Sequence, residues 1–420
     1  MIAIPFIYFI ILFIYLKIKN KGTDVSAYLA LLYAFISFFA IIVDVCGIYD
    51  TNGVCAKMPI SIGATFSYCA LLTLSIVPFS RMRSTELKTV TITKPQLMDF
   101  VSWGLILTFI LTFFVLCSDI IVALQSDLQE LRSAVYAGEE EVEVTGLKWL
   151  LLLPNTLFSQ FSPIAILFFY INVTQSRKST LFNYILLASS VTPILSAILI
   201  AGRTQIIYWL LSYLLCFFLF RNQMEAKQRK IVLTPFFVLA GVFVVFFASV
   251  TIARFASNTL DSDAKTFNSI AAYIGQPFIN YNNFFNNYVC HQISFNRIFP
   301  ALHYFVLDPD WTLDSYRELI LSQTGMNIGI FYTFLGDWMV DLDKTGMIIL
   351  VLLFAIVSTY ISRQEDDNSI PIYRLLLIQL LILIPLQGIF YYSFHRVDVG
   401  YYIIGTLIIS FFFKYTFKIR

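Results

Sequence analysis

The sequence predicts an all-α polytopic membrane protein with about eleven transmembrane helices and one large extracytoplasmic loop. Three observations carry that expectation. Of the 420 residues, 58% are apolar or aromatic and only 13% are charged. Apolar runs of membrane-spanning length recur along the chain, more than a soluble core can hide. Lys and Arg, finally, gather in alternate connections between those runs.

The apolar segments fall at about 2–16, 26–48, 61–79, 98–118, 149–171, 181–201, 203–220, 231–252, 339–360, 371–391 and 398–413. The first lacks a basic leader and a small-residue cleavage site, so it reads as a span. Assigning connections alternately to two sides places 18 of the 28 Lys and Arg on one side. They lie mostly in short loops: 17–25, 80–97, 172–180, 221–230, 361–370 and the tail from Lys414. Positive charge stays in the cytoplasm, which puts the N-terminus outside and the C-terminus inside. The whole of 1–420 then reads as a single integral membrane domain. Two outer connections are long: an insert at 119–148, with a short amphipathic stretch and an acidic turn, and the loop 253–338. Six scattered Cys form no metal-type cluster and read as small buried hydrophobes.

The chain has no phosphate-binding GxxxxGK[ST] loop, no dinucleotide-type glycine turn and no HExxH. That argues against an ATP-driven pump, a cytosolic nucleotide enzyme and an intramembrane metalloprotease. Nothing suggests a nucleic-acid partner, a metal or another cofactor. The spans are nearly free of charge, whereas ion-coupled transporters commonly place ionisable groups near the midplane.

Basic groups near outer boundaries form the most informative pattern: Arg203, Arg254, His291, Arg297, His303, Arg317, His395 and Arg396. Arg203 follows Gly202 between two apolar runs, which predicts a tight outer hairpin with Arg203 in the first turn of the next helix. Exposed helix-start N–H groups there favour an anion. Any one boundary Arg also reads as a side chain reaching lipid headgroups. Together they form planar cationic donors suited to a phosphate or diphosphate close to the bilayer. The stretch NYNNFFNNYVCHQISFNRIFPALHYF interleaves amides and aromatics. It reads either as an ordinary structured loop or as a glycan surface, with Tyr281, Asn282, Asn283 and, further on, Tyr332 as contacts. Residues 327–338 show a helix-like pattern too short to cross. Asp337 and Asp341 lie four apart, either as a span cap or as carboxylates near an acceptor hydroxyl.

At these residues the chain resembles the Wzy-type oligosaccharide repeat-unit (O-antigen or capsule) polymerases. The resemblance lies in GRTQII, in AAYIGQPFINYNNFF, and in NIGIFYTFLGDWMVDLDKTGMIIL, where Tyr332-Thr333-Phe334 leads to Asp337 or Asp341 and then Gly346. It implies a C-type glycosyltransferase fold in a bacterial cytoplasmic (inner) membrane, acting without a metal on its outer face. Donor and acceptor would be polyprenyl-diphosphate-linked oligosaccharides, and a chain-length regulator would be a compatible partner. Arg203 matches the family's helix-start Arg, with Arg254, Arg297 and Arg317 as loop members. His291, His303, His395 and Arg396 match by location, but no dense Arg motif occurs in the loop. In this expectation Arg203 and the loop arginines neutralise the diphosphate, while His291, His303, Asp337 or Glu318 orients or deprotonates the acceptor hydroxyl. A ligase of the same fold, a polysaccharide flippase or transporter, and a membrane acyltransferase remain as other readings.

Overall fold

A computed structural model describes residues 1–49, 55, 57–125, 147–200, 202–256, 262–290, 292–307, 312–363 and 368–415. Its helices, in chain order, are α1 (Ile4–Lys19), α2 (Val25–Val45), α3 (Ile62–Ile76), α4 (Pro95–Gln125), α5 (Leu147–Phe158), α6 (Ser162–Thr174), α7 (Thr180–Ser189) and α8 (Thr192–Ile198). They continue as α9 (Thr204–Phe220), α10 (Ala226–Ala256), α11 (Ser262–Asn287), α12 (Leu313–Thr324), α13 (Thr333–Ile361), α14 (Ile372–Gln387) and α15 (Val397–Lys414). Two three-residue strands, β1 (Thr89–Thr91) and β2 (Ser369–Pro371), complete the chain.

Seven of the described spans are long and apolar enough to cross a membrane, and the α7–α8 pair, bent by 41°, makes an eighth if counted as one span. Helices α9 and α14 are apolar but shorter. The chain is therefore an α-helical membrane protein of several spans. Most of the 119–148 insert, residues 126–146, lies outside the described residues, as does His291.

The chain divides into two compact units. The first comprises Met1–Leu87, Phe267–Asn368 and Leu377–Ile404. Here α1 and α2 pack along one another. Asp24 caps α2, accepting the Ala27 N–H at 2.8 Å, the Ser26 hydroxyl at 2.9 Å and the Asn20 amide at 2.8 Å. A capping side chain satisfies N–H groups that the first turn leaves unpaired. The expected loop 253–338 contains instead a long helix, α11, from which residues 275–282 are buried. Gly275 lets it approach α2 closely, because a Cβ there would lie 2.6 Å from the Phe39 carbonyl. Tyr33, on α2, donates to the Pro385 carbonyl of α14 at 2.8 Å.

The second unit comprises Lys88–Thr266, Ser369–Leu376 and Gly405–Arg420. β1 and β2 pair in parallel, with Thr89 opposite Ser369. The break between α7 and α8 falls at Ser190 and Val191, and the polar groups it frees are met by side chains. Ser162 donates to the Ser190 carbonyl at 2.6 Å, and Trp209 Nε1 donates to the Ser190 hydroxyl at 2.7 Å. A helix broken inside an apolar region needs such partners, since lipid supplies none.

Candidate functional site

The site grows from α13. Within its 29 residues the helix is interrupted at Asp343, at φ 62° and ψ 176°. The first ten residues, 333–342, are thus a separate short helix, and they carry Asp337 and Asp341 one turn apart. Both carboxylates are fully buried, and buried carboxylates need charge or N–H partners.

Asp341 receives four. Its Oδ2 accepts the backbone N–H of Arg297 at 2.8 Å and of Ile298 at 2.9 Å. Its Oδ1 accepts the hydroxyls of Ser294 at 3.0 Å and Tyr316 at 3.1 Å. The segment 294–298 is thereby folded onto the short helix, and α12 is tied to the same atom. Asp337 is paired with Arg297 Nε through Oδ1, which also lies 3.2 Å from the Tyr332 hydroxyl. Its Oδ2 accepts the Tyr392 N–H at 2.5 Å.

Arg297 is only 2% exposed, and its guanidinium sits 6.0 Å from the Tyr332 ring centre. Burial works against its charge, but Asp337 and the neighbouring oxygens outweigh this and hold it above the usual Arg range. Its Nη1 is buried with no hydrogen-bond partner among the described residues, and so is Nε of Arg317 on α12. Arg317 Nη1 pairs with Asp314 at 2.7 Å.

His395 lies in the connection between α14 and α15, fully within the first unit, and is buried. Its Nδ1 meets the Tyr392 carbonyl. A carbonyl can only accept, so Nδ1 carries the proton and Nε2 holds a lone pair. Burial first, and then the charges of Arg297, Arg396 and Arg317, push its pKa well below the usual histidine value. These three arginines therefore act on one imidazole. Arg396 is half exposed and forks onto Asp398 at 2.7 and 3.0 Å.

Of the expected outer groups, the fold thus brings Arg297, Arg317, His395 and Arg396 together in the first unit. Expected as a diphosphate ligand, His395 is a neutral imidazole beside cations. Glu318 neighbours Arg317 on α12 and is exposed, while His303 opens a π-helical turn, His303–Leu307, and is half-buried. Tyr281 and Asn282, expected at a glycan surface, are fully buried. Tyr281 bonds the Ser67 hydroxyl at 2.8 Å, and Asn282 takes the Ser61 N–H at 2.9 Å and gives to the Pro59 carbonyl at 3.0 Å, so both hold α11 in place. Tyr332 is likewise buried. Asn283 is half-buried and accepts from Asn287 at 2.7 Å.

Arg203 belongs to the second unit. The expected turn is present: Gly202 N–H closes onto the Ala197 carbonyl at 2.8 Å. Arg203 stands at the N-cap of α9 rather than within its first turn, and is 7% exposed. The side chain of Arg254 lies outside the described residues.

The backbone of Tyr392 and the hydroxyls of Ser294 and Tyr316 were not foreseeable as parts of this site. The sequence signal that leads to them is the pair of Asp residues in an otherwise apolar segment, which demands partners from elsewhere. Comparison of the chain with protein-family models, curated proteins and solved structures returned no match.

Proposed function

We propose that this chain is a glycosyltransferase that polymerises polyprenyl-diphosphate-linked oligosaccharide repeat units on the outer face of a bacterial cytoplasmic membrane. The observation that carries the reading is a pair of buried guanidinium N–H donors, on Arg297 and Arg317, without an acceptor among the described residues, in the same unit as Arg396 and the buried His395. Preorganised donors of this kind suit an oxygen-rich dianion, and they favour a reaction in which negative charge grows on that dianion.

In the proposed step, an acceptor sugar hydroxyl attacks the anomeric carbon of the donor. The new C–O bond forms as the bond to the diphosphate breaks, with inversion. The diphosphate leaves with the electron pair and is stabilised by Arg297, Arg317 and Arg396. The hydroxyl proton passes to Nε2 of His395. Before the donor binds, burial and the arginine charges keep this imidazole neutral, so its lone pair is available. A bound dianion offsets the arginine charges and makes the imidazole a stronger base once the donor is in place. Asp337 and Asp341 act as positioning residues, since every carboxylate oxygen already has a partner.

Membrane layout supports the reading as well. The proposed topology has eleven segments, an outer N-terminus and a cytoplasmic C-terminus. Loops 17–25, 80–97 and 361–370, assigned to one side by their charge, contribute residues to a single cleft in the first unit.

The test uses the purified full chain in liposomes with lipid-linked repeat units extracted from the same cells. Wild-type protein should extend them into ladders, and Arg317→Ala and Arg396→Ala should each slow extension by tenfold or more. Ladder formation at the wild-type rate in both variants refutes the role of the cluster. A wild type that makes no ladder but attaches finished glycan to a different acceptor converts the reading to a ligase. Arg203→Ala with full ladder formation removes Arg203 from the reaction.

A further inference from the structure

At the end of the first unit marked by basic loops, a cleft of about 690 Å³ opens where α1, the turn after α3 and α13 terminate. Its volume falls in the range of about 300–1,000 Å³ typical of small-molecule sites. Five cations line it: Lys19, Lys21, Arg81, Arg83 and Arg363. Glu86 is the one carboxylate among the described lining residues, 3.5 Å from Arg83.

Basic loops on the cytoplasmic side and cations at helix C-termini are expected on general grounds. Those grounds do not explain the backbone. Six non-glycine residues among those described have positive φ, and three of them line this cleft: Lys21 (φ 53°), Arg83 (φ 42°) and Asn368 (φ 54°). Glycine occupies such positions without strain. Two of the three nevertheless carry long cationic side chains, and they converge from separate loops on one opening. The arrangement concentrates like charge in a confined space, which an anion relieves.

We infer that this cleft binds a phosphate-bearing anion, presented either as a phospholipid headgroup of the adjoining leaflet or as a soluble phosphate ester. Basic pockets between helix ends at the cytoplasmic boundary recognise headgroups by this chemistry. The site is separate from the cluster around His395 and does not depend on the reaction proposed for it. Glu365, Asp366 and Asp367 follow Arg363 in sequence and lie outside the described residues.

The experiment is native mass spectrometry of the full chain with dioleoyl phosphatidylglycerol or dioleoyl phosphatidylcholine, alongside thermal-shift titration with glycerol 3-phosphate. Lys21→Gly combined with Arg83→Gly removes two charges while leaving a backbone that suits its φ angles, so the fold is kept. Wild type should prefer phosphatidylglycerol by tenfold or more, and the double variant should lose most of that preference. Lys57→Gln, outside the cleft, should retain it. Binding of phosphatidylglycerol without a glycerol 3-phosphate shift identifies a lipid site. A shift with glycerol 3-phosphate that disappears in the double variant identifies a site for soluble esters too. No preference in the wild type, or an unchanged preference in the double variant, overturns the inference.

Discussion

The Arg297–Asp337 pair offers the sharpest test of how the site is held. Arg297 is 2% exposed and Asp337 fully buried, so neither charge can fall back on water. Replacing Asp337 by Asn keeps a group that can accept the Tyr392 N–H but leaves Arg297 buried without its counter-charge. Breaking a buried pair from one side costs about 3–5 kcal/mol. Replacing Arg297 by Met strands the carboxylate and should cost a similar amount. Here Asp337 keeps the Tyr392 N–H and the Tyr332 hydroxyl, which places Arg297→Met toward the lower end of that range. The double variant removes both charges and retains most of the shape, so its loss should fall short of the sum by roughly 2 kcal/mol or more. Equilibrium unfolding of the four proteins in detergent, followed by tryptophan fluorescence, measures the coupling; Trp338 adjoins Asp337 in sequence and reports locally. Simple additivity, or single variants within about 0.5 kcal/mol of wild type, would refute the claim that this pair fastens the site.

Three further outcomes are expected. His395 has a depressed pKa in the folded chain, so below its unfolded value of about 6.5 the unfolded state binds the extra proton. Its contribution is full above that pH and falls as acid is added, by up to about 1.4 kcal/mol per unit; His395→Asn, which cannot titrate, should flatten this part of a stability–pH curve. Asp343→Gly should raise the melting temperature by the equivalent of about 1 kcal/mol, since φ 62° with ψ 176° is a region that only glycine visits freely; a lower melting temperature would show that the Asp343 side chain outweighs its strain. Gly275→Ala should destabilise by about 1–3 kcal/mol through collision with the α2 backbone, whereas Gly241→Ala, with nothing within 4 Å, should not, as thermal unfolding of both would show.

Membrane class and helical spans were legible because apolar runs of spanning length are direct records of the bilayer. The grouping of Arg297, Arg317, His395 and Arg396 was legible as location only. Their difference in state was not: whether His395 binds a proton depends on burial, which no local pattern encodes. Helix α11 was hidden by its composition. Gln276, Asn280 and Asn282 look like loop residues until their partners are known; Asn280 gives to Gln276 at 3.2 Å and to the Phe331 carbonyl at 2.9 Å. The interruption falls at Asp343 itself, three residues before the Gly346 that the sequence pattern pointed to. The turn before α9 was marked by Gly202 and was found where that residue put it.

Asp337 draws its partners from both directions along the chain, Arg297 from 40 residues before it and Tyr392 from 55 after. A ribosome delivers these in order. When α13 leaves the translocation channel its cation is already available, but the N–H that completes the carboxylate is not yet made. The cluster therefore exists only after α14 and the connection behind it have been synthesised and inserted. A nascent chain arrested before residue 392 would hold a carboxylate with one oxygen unfilled. Completion of the site therefore falls near the end of synthesis, with only the last helix, α15, still to follow.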